Sequence, residues 1–182
     1  MCGTVHSKYK LHRTPFKRGR RRAEKPLELM HSDVCGPIGT PSLSGKKYFV
    51  TFTDDKTHYS WIYFLKSKSE VYSKFVEWKA SVERTSDCRV KILRTDNGGE
   101  YTSDEFSDHL KANGIKHKLT VPKNPEQNGV AERLNRTLVE STRSMLSDAQ
   151  LLERFWAEAT STAVFLRNRS STVKLGMEES QV

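Results

Sequence analysis

The chain has 182 residues and a formal net charge of +9 at pH 7. Its composition, 35% hydrophobic and 29% charged, is typical of a soluble domain with a polar appendage, and no apolar run approaches the ~18 residues of a membrane span. The N-terminus also has no apolar signal core. From both observations we expect no membrane partner. Three widely spaced cysteines, Cys2, Cys35 and Cys88, indicate a reduced, intracellular protein.

Most of the positive charge lies in residues 1–26, which we interpret as a basic tail and linker. This segment has nine Lys or Arg and a single acid, Glu24, and therefore carries eight of the nine net charges. Such a run attracts phosphates by counterion release. A nuclear-import signal or a solvated linker would explain the same run. The candidate phosphate contacts here are Lys17, Arg18, Arg20, Arg21 and Arg22.

The first half of the body, which begins at residue 27, predicts three strands and a helix. The runs 27–37, 44–55 and 58–67 are rich in aromatic and β-branched residues and are separated by turn signals, so they predict an antiparallel meander. Apolar residues then recur at intervals of three or four, which predicts a helix. These residues are Val71, Phe75, Trp78 and Val82.

The second half of the body alternates strands with helices. Residues 88–96 and 115–121 predict strands, and residues 103–114 predict a helix that Ser103 caps and Gly114 ends. A polar loop over 121–129 precedes two further helices, at 130–146 and 153–169. The order β-β-β-α-β-α-β-α-α predicts an α/β domain over 27–170, with a five-stranded mixed sheet flanked by helices and a short tail at 171–182.

Three carboxylates occupy positions where such a sheet brings residues together. Asp33 lies near the end of the first strand and Asp96 at the end of the fourth, while Glu132 lies in the first turn of the helix that begins at residue 130. If the first and fourth strands are neighbours, both aspartates emerge at one edge of the sheet. Clustered carboxylates need cations, and hard oxygen ligands select Mg²⁺ or Mn²⁺. Two such ions ~4 Å apart promote phosphoryl transfer.

The pattern of the helix at 130–146 is consistent with this placement. Glu132, Arg136 and Arg143 fall on one face, and the residues roughly opposite are expected to face the core. Those core residues are Val130, Leu134, Leu138 and Met145. An exposed helix face with salt-bridging Glu and Arg would give the same pattern.

Four ordered blocks resemble the catalytic core of copia-type retrotransposon integrases. They are HSDVCGP (31–37), FTDDKTHYSWIYFLKSKSE (52–70), RTDNGGEY (94–101) and PEQNGVAERLNRT (125–137). The resemblance implies a ribonuclease-H-like fold and a D, D-35-E triad, and 35 residues do separate Asp96 from Glu132. It implies that Asp33, Asp96 and Glu132 are the catalytic residues and that together they bind two ions of Mg²⁺ or Mn²⁺.

The same resemblance implies an activity and a set of partners. The terminal 3′-hydroxyls of element DNA would attack a target phosphodiester, so double-stranded DNA is the expected partner. A nuclear location and a homo-oligomer of the full-length protein follow from it. The candidate DNA contacts in the core are Gln127, Asn128, Arg133, Arg136 and Arg143. Two alternatives stay open: a non-catalytic nucleic-acid-binding remnant, and a metal-dependent nuclease of the same fold.

Smaller motifs receive more specific interpretations. Gly98 and Gly99 are expected to let the backbone turn sharply and leave room for DNA. His31 is interpreted as a packed strand residue rather than a ligand, and Asp54 and Asp55 as turn residues.

The segment CGTVHSKYKLHRTPF (2–16) resembles the end of the zinc-binding segment that precedes the integrase core. Only Cys2 and His6 are candidate ligands, whereas a structural zinc site needs four. We therefore expect no zinc in this chain. We interpret the departure from the family pattern as that of a truncated copy.

Overall fold

The protein forms a five-stranded mixed sheet with helices on both faces. The computed structural model describes residues 23–120 and 129–170. The strands are β1 (Leu29–Cys35), β2 (Tyr48–Asp54), β3 (Ser60–Leu65), β4 (Ile92–Thr95) and β5 (Lys116–Leu119). The helices are α1 (Val71–Ser86), α2 (Gly99–Thr102), α3 (Asp104–Ala112), α4 (Gly129–Asp148) and α5 (Trp156–Arg169). None of the described helices is long and apolar enough to span a membrane.

The strand order in the sheet is β3-β2-β1-β4-β5. The first three strands form the predicted antiparallel meander, and β4 and β5 run parallel to β1. The predicted α/β order is therefore confirmed, and β1 and β4 are neighbours. Because β1 and β4 are parallel, their carboxyl ends lie at the same edge of the sheet.

One face of the sheet is covered by α1 and α3. The predicted positions of α1, Val71, Phe75, Trp78 and Val82, are all buried. Trp78 stacks on Phe52 of β2 with ring centroids 4.6 Å apart. The side chain of Ser103 accepts a hydrogen bond from the backbone of Phe106 and so caps α3 as predicted.

The opposite face is covered by α4, which lies against β1 and β2, and by α5, which lies against β3. Leu134 and Leu138 are buried as predicted, whereas Val130 and Met145 are only partly buried. Met145 nevertheless packs against the core cluster of Leu134 and Leu138. Val130 does not belong to that cluster, because the inward stripe of α4 is partly polar. Besides Leu134 and Leu138, the buried residues of α4 include the polar Asn135 and Thr142 and the small Ala131.

Candidate active site

Asp33 lies on the central strand β1, on the face that α4 covers. Its Oδ2 accepts a hydrogen bond of 2.9 Å from the side-chain amide of Asn135 on α4. The carbonyl oxygen of that amide accepts a hydrogen bond of 2.9 Å from the hydroxyl of Thr51, the register partner of Asp33 on β2. Asp33 is thus held half-buried against α4, with one carboxylate oxygen engaged.

Asp96 follows directly after β4, which is the parallel neighbour of β1. Its Oδ1 accepts a hydrogen bond from the backbone N–H of Gly98, a local turn that Asp and Asn side chains favour. The side chain of Asn97 donates a hydrogen bond to the carbonyl of Thr120 and so connects the turn to the end of β5. Asp33 and Asp96 therefore emerge from adjacent strand ends.

The turn after Asp96 continues into the one-turn helix α2, which the sequence patterns did not predict. Tyr101 of α2 is buried, and its hydroxyl lies 2.7 Å from the hydroxyl of Ser32 on β1. This contact connects the segment after Asp96 to the strand that carries Asp33. The two aspartates are thus linked through the buried side of the sheet as well as through the strand pairing.

The two glycines of this turn do not provide a left-handed backbone. Among the described residues, Gly36, Gly45 and Gly114 are the glycines with positive φ, so the turn that follows Asp96 forms without a left-handed glycine. A Cβ at Gly98 would lie 2.8 Å from the carboxylate of Glu100, which is the end of a flexible side chain and can move aside. A Cβ at Gly99 would have no atom of the described residues within 4 Å.

Glu132 lies in the first turn of α4 and is exposed. Burial is the main reason that the pKa of Asp33 is raised to about 7, and the charges of Asp96 and Glu132 raise it further, against the hydrogen bond from Asn135. Repulsion of this kind requires charges that are close to one another. The fold therefore brings the three predicted carboxylates within electrostatic range at one edge of the sheet.

The three carboxylates do not form a preassembled coordination sphere. Within residues 23–120 and 129–170, no three His, Cys, Asp or Glu side chains are grouped closely enough to hold a metal ion. The chemistry of the donors nevertheless fits a hard divalent cation, because all are carboxylate oxygens. A cation would also neutralise the mutual repulsion that raises the pKa of Asp33.

Asn135 and Thr51 are site residues that the sequence analysis missed. A signal for Asn135 exists, because Ala131, Asn135, Leu138 and Thr142 recur at intervals of four, three and four residues, which is the spacing of a buried helix face. A polar amide on such a face requires a buried partner. Nothing in the local sequence identifies that partner as Asp33.

The two acids at the end of β2, Asp54 and Asp55, form structural contacts. Asp54 accepts hydrogen bonds from the backbone of Leu27 and of Thr57. Asp55 accepts one from the backbone of Ala23 and lies 2.8 Å from Nε2 of His31. His31 is buried, and its Nδ1 has no hydrogen-bond partner among the described residues. These contacts anchor the start of the core and agree with a structural interpretation of His31.

The predicted cationic contacts fall into two groups. Arg133, Arg136 and Arg143 are exposed on α4, so the predicted polar face of this helix is confirmed. The remaining predicted DNA contacts lie outside the described residues: Lys17, Arg18, Arg20, Arg21, Arg22, Gln127 and Asn128. The two candidate zinc ligands of the tail, Cys2 and His6, also lie outside them.

Comparison with curated proteins finds similar segments in retrotransposon polyproteins. The chain is 50% identical over 169 residues to the Retrovirus-related Pol polyprotein from transposon TNT 1-94 of Nicotiana tabacum, covering 93% of this chain and 13% of that protein. It is 39% identical to the corresponding polyprotein from transposon RE2 of Arabidopsis thaliana, covering 93% of this chain and 11% of that protein. It is 31% identical to the Transposon Ty1-LR3 Gag-Pol polyprotein of Saccharomyces cerevisiae, covering 86% of this chain and 9% of that protein. The chain thus spans roughly a tenth of the length of these relatives.

Comparison with solved structures confirms the predicted ribonuclease-H-like fold. A chain in the cryo-EM structure of the simian T-cell lymphotropic virus intasome in complex with PP2A regulatory subunit B56 gamma superimposes with a TM-score of 0.67. The match covers 88% of this chain and 54% of that chain at 22% sequence identity. At this identity the likeness concerns the fold.

A family model described as the integrase core domain matches residues 23–125. The match includes both Asp33 and Asp96 with the strands that carry them, and it covers more than half of the 182 residues. The chain therefore belongs to the integrase core domain family, as its resemblance to copia-type retrotransposon integrases indicated.

Proposed function

We propose that this chain is a catalytic core that joins the 3′ ends of retrotransposon DNA to target DNA. The observation that carries the proposal is the placement of Asp33, Asp96 and Glu132. Two of them leave the adjacent parallel strands β1 and β4, and the third lies in α4, which packs on β1, near enough to raise the pKa of Asp33. Membership of the integrase core family gives this cluster its reaction class.

In the proposed reaction, the three carboxylates hold Mg²⁺ or Mn²⁺. When bound, two such ions activate an attacking hydroxyl and stabilise the leaving oxygen of a phosphodiester. The side chains of this protein supply the negative charge that retains the ions, and Asn135 holds Asp33 in place through its hydrogen bond. The first turn of α4 has to bring the exposed Glu132 into the completed site.

The proposed substrates and assembly follow from the same assignment. The proposed ligand is double-stranded DNA, both the element ends and the target. Phosphate contacts on α4 come from the exposed Arg133, Arg136 and Arg143. The basic segment 1–22 is proposed to add sequence-independent affinity. We also propose a homo-oligomer for the full-length protein and a nuclear location, where target DNA is found.

A strand-transfer assay tests the proposed activity. The purified chain is incubated with labelled element-end DNA and target DNA in Mg²⁺ or Mn²⁺, beside the Asp96→Asn and Glu132→Gln variants. Glu140→Gln is the matched control, because Glu140 is also an exposed glutamate of α4. Wild type and Glu140→Gln should give joined products, while the other two should give fewer than about one-hundredth as many. Joining by Asp96→Asn at the wild-type rate would refute the assignment.

A second candidate function is DNA binding without catalysis. The observation that favours it is that the three carboxylates are not preassembled for metal binding among the described residues. Under this alternative, wild type binds DNA in a salt-dependent manner and yields no product with either ion. Nicked DNA without joined strands would instead identify a nuclease.

A further inference from the structure

On the side of the sheet that α4 and α5 cover, no helix within residues 23–120 and 129–170 packs closely on β4 and β5. On this side α4 lies against β1 and β2, and α5 lies against β3. The strands β4 and β5 form the remaining half, and β5 is the edge of the sheet. The opposite side of β4 and β5 belongs to the core, where Leu93 is buried and His117 stacks on Phe106.

The strand register determines which side chains lie on this open half. Arg94 of β4 pairs with His31 of β1, and Lys118 of β5 pairs with Arg94. Register partners in a sheet point to the same face, and residues two apart do so as well. Lys116, Lys118 and Arg94 therefore share the face that carries Asp33. We call these three residues the β4–β5 basic surface.

The β4–β5 basic surface adjoins the candidate active site. Arg94 precedes Asp96 by two residues, and Lys118 is one strand further out. With a rise of about 3.3 Å per residue and a strand spacing of about 4.8 Å, the Cα atoms of Lys118 and Asp96 are roughly 8 Å apart. An extended lysine side chain spans a comparable distance, so Lys118 can contact a ligand whose reacting group lies at Asp96.

The two lysines are available for an external partner. Lys116 is exposed and Lys118 is half-exposed, and neither ammonium group forms a hydrogen bond or ion pair with any residue in 23–120 or 129–170. Arg94, on the neighbouring strand β4, adds positive charge to the same face and interacts electrostatically with Asp55. Lys116 and Lys118 are two residues apart on the same face and repel one another, and a polyanion would relieve that repulsion.

Edge strands often carry lysines that prevent strand-to-strand aggregation. That role does not require both lysines to lie on one face. In β5 they both lie on the side of Asp33 and Asp96, while His117 and Leu119 occupy the other side. The arrangement matches a surface that serves the active site.

From these observations we infer that the β4–β5 basic surface binds the phosphodiester backbone of duplex DNA and guides it to Asp33 and Asp96. The inference rests on the proposed function for its ligand, and on charge complementarity and continuity with the site for its location. Such contacts position a duplex without reading its sequence.

DNA binding by the full chain in EDTA tests this inference independently of the chemistry. The double variant Lys116→Gln/Lys118→Gln is compared with Lys74→Gln/Lys111→Gln, which removes the same charge from α1 and α3 on the opposite side of the sheet. Affinity for a 25-base-pair duplex is measured by fluorescence anisotropy over a range of KCl concentrations. Both double variants retain the tail, so its contribution is common to them.

The expected result is a selective change in the β5 variant. Each lost phosphate contact should reduce the slope of log affinity against log salt by about 0.9, so the β5 variant should lose about 1–2 and the control should keep the wild-type slope. Thermal melting within about 1 °C of wild type verifies its fold, and Lys118→Glu alone gives a second test at the site nearest Asp96.

Two outcomes would overturn the inference. One is an equal slope in both double variants, and the other is a loss of binding to poly-glutamate with unchanged binding to DNA, which would identify an acidic protein as the partner. Failure of wild type to join DNA ends would count against the proposed function alone, because this binding assay contains no divalent metal.

Discussion

The side-chain amide of Asn135 donates a hydrogen bond of 2.9 Å to Oδ2 of Asp33, a residue 102 positions earlier in the chain. The hydroxyl of Thr51 donates to the carbonyl oxygen of the same amide, which fixes the amide so that its nitrogen faces the carboxylate. Asn135 lies one helical turn after Glu132. This relationship therefore couples the helix that carries one predicted catalytic carboxylate to the strand that carries another.

The first prediction concerns Asn135→Ala. The substitution removes a donor that lowers the pKa of Asp33, so this pKa should rise above its value of about 7. The lost contacts should also reduce the free energy of unfolding by about 1–2 kcal/mol. Carbon-13 NMR of the aspartate carboxyl groups measures the first effect and urea denaturation the second. Thr51→Val, which spares the Asn135–Asp33 contact, should shift the pKa of Asp33 less. An equal or larger shift would contradict the assignment of Asn135 as the donor that lowers this pKa.

The second prediction is that Asp33 destabilises the metal-free protein at neutral pH. Its pKa is about 7 in the folded protein and about 3.9 in an unfolded chain. The folded state therefore binds more protons between these values, and the stability associated with the protonated carboxyl is present below pH 4 and is lost as the pH rises through 7. Removing the charge should restore that stability.

Asp33→Asn should accordingly be more stable than wild type at pH 8 in EDTA, on the order of 1–2 kcal/mol after allowance for solvent screening. The asparagine oxygen can still accept the hydrogen bond from Asn135. Denaturation at pH 8 and pH 5 measures the difference, which should shrink at the lower pH. Asp108→Asn, an exposed control on α3, should show no such pH dependence, and a destabilised Asp33→Asn at pH 8 would contradict the prediction.

The sequence predicted the fold well where the pattern is local. Aromatic and β-branched runs between turn signals predicted the meander, and the spacing of Val71, Phe75, Trp78 and Val82 predicted the buried face of α1. The capping role of Ser103 follows from short-range chemistry, because its partner is three residues away. Local patterns also placed Asp33 and Asp96 at strand ends.

The parts that failed depend on contacts between distant segments. The helix α2 has four residues, too few for a hydrophobic period, and its buried anchor Tyr101 finds Ser32 across 69 residues. Val130 was expected in the core, but the packing of α4 on β1 buries the polar Asn135 instead. No window of adjacent residues contains that information.

The third prediction concerns Asp55. Burial opposes ionisation of this carboxyl, but hydrogen bonds from His31 and from the backbone of Ala23 outweigh it and lower the pKa of Asp55 to about 2. A lowered pKa contributes stability that is present above pH 4 and is lost as the pH falls towards 2. Asp55→Asn has one acceptor oxygen for two donors, so at pH 7 it should cost about 2 kcal/mol.

Guanidinium denaturation at pH 7 and at pH 2.5 tests this prediction. The loss caused by Asp55→Asn should be clearly smaller at pH 2.5, where the wild-type carboxylate is partly protonated. Asp108→Asn removes an exposed ion pair with Lys111 and should change stability by less than about 0.5 kcal/mol. A pH-independent loss in Asp55→Asn would show that the carboxylate charge is not the cause.

The fourth prediction uses two glycines that follow β1. Gly36 has a φ of +128°, and a Cβ there would lie 2.7 Å from the carbonyl oxygen of Lys47 and from the ring of Tyr48. Gly36→Ala should therefore destabilise the fold by at least about 2 kcal/mol, because it combines an unfavourable backbone conformation with a collision against backbone. Gly39 has an ordinary φ and no atom within 4 Å of a Cβ, so Gly39→Ala should be neutral or slightly stabilising. Thermal and urea denaturation of the two variants measure the contrast. Equal stabilities would mean that the chain leaves β1 along a different path, and the position of Asp33 three residues earlier would then also be in question.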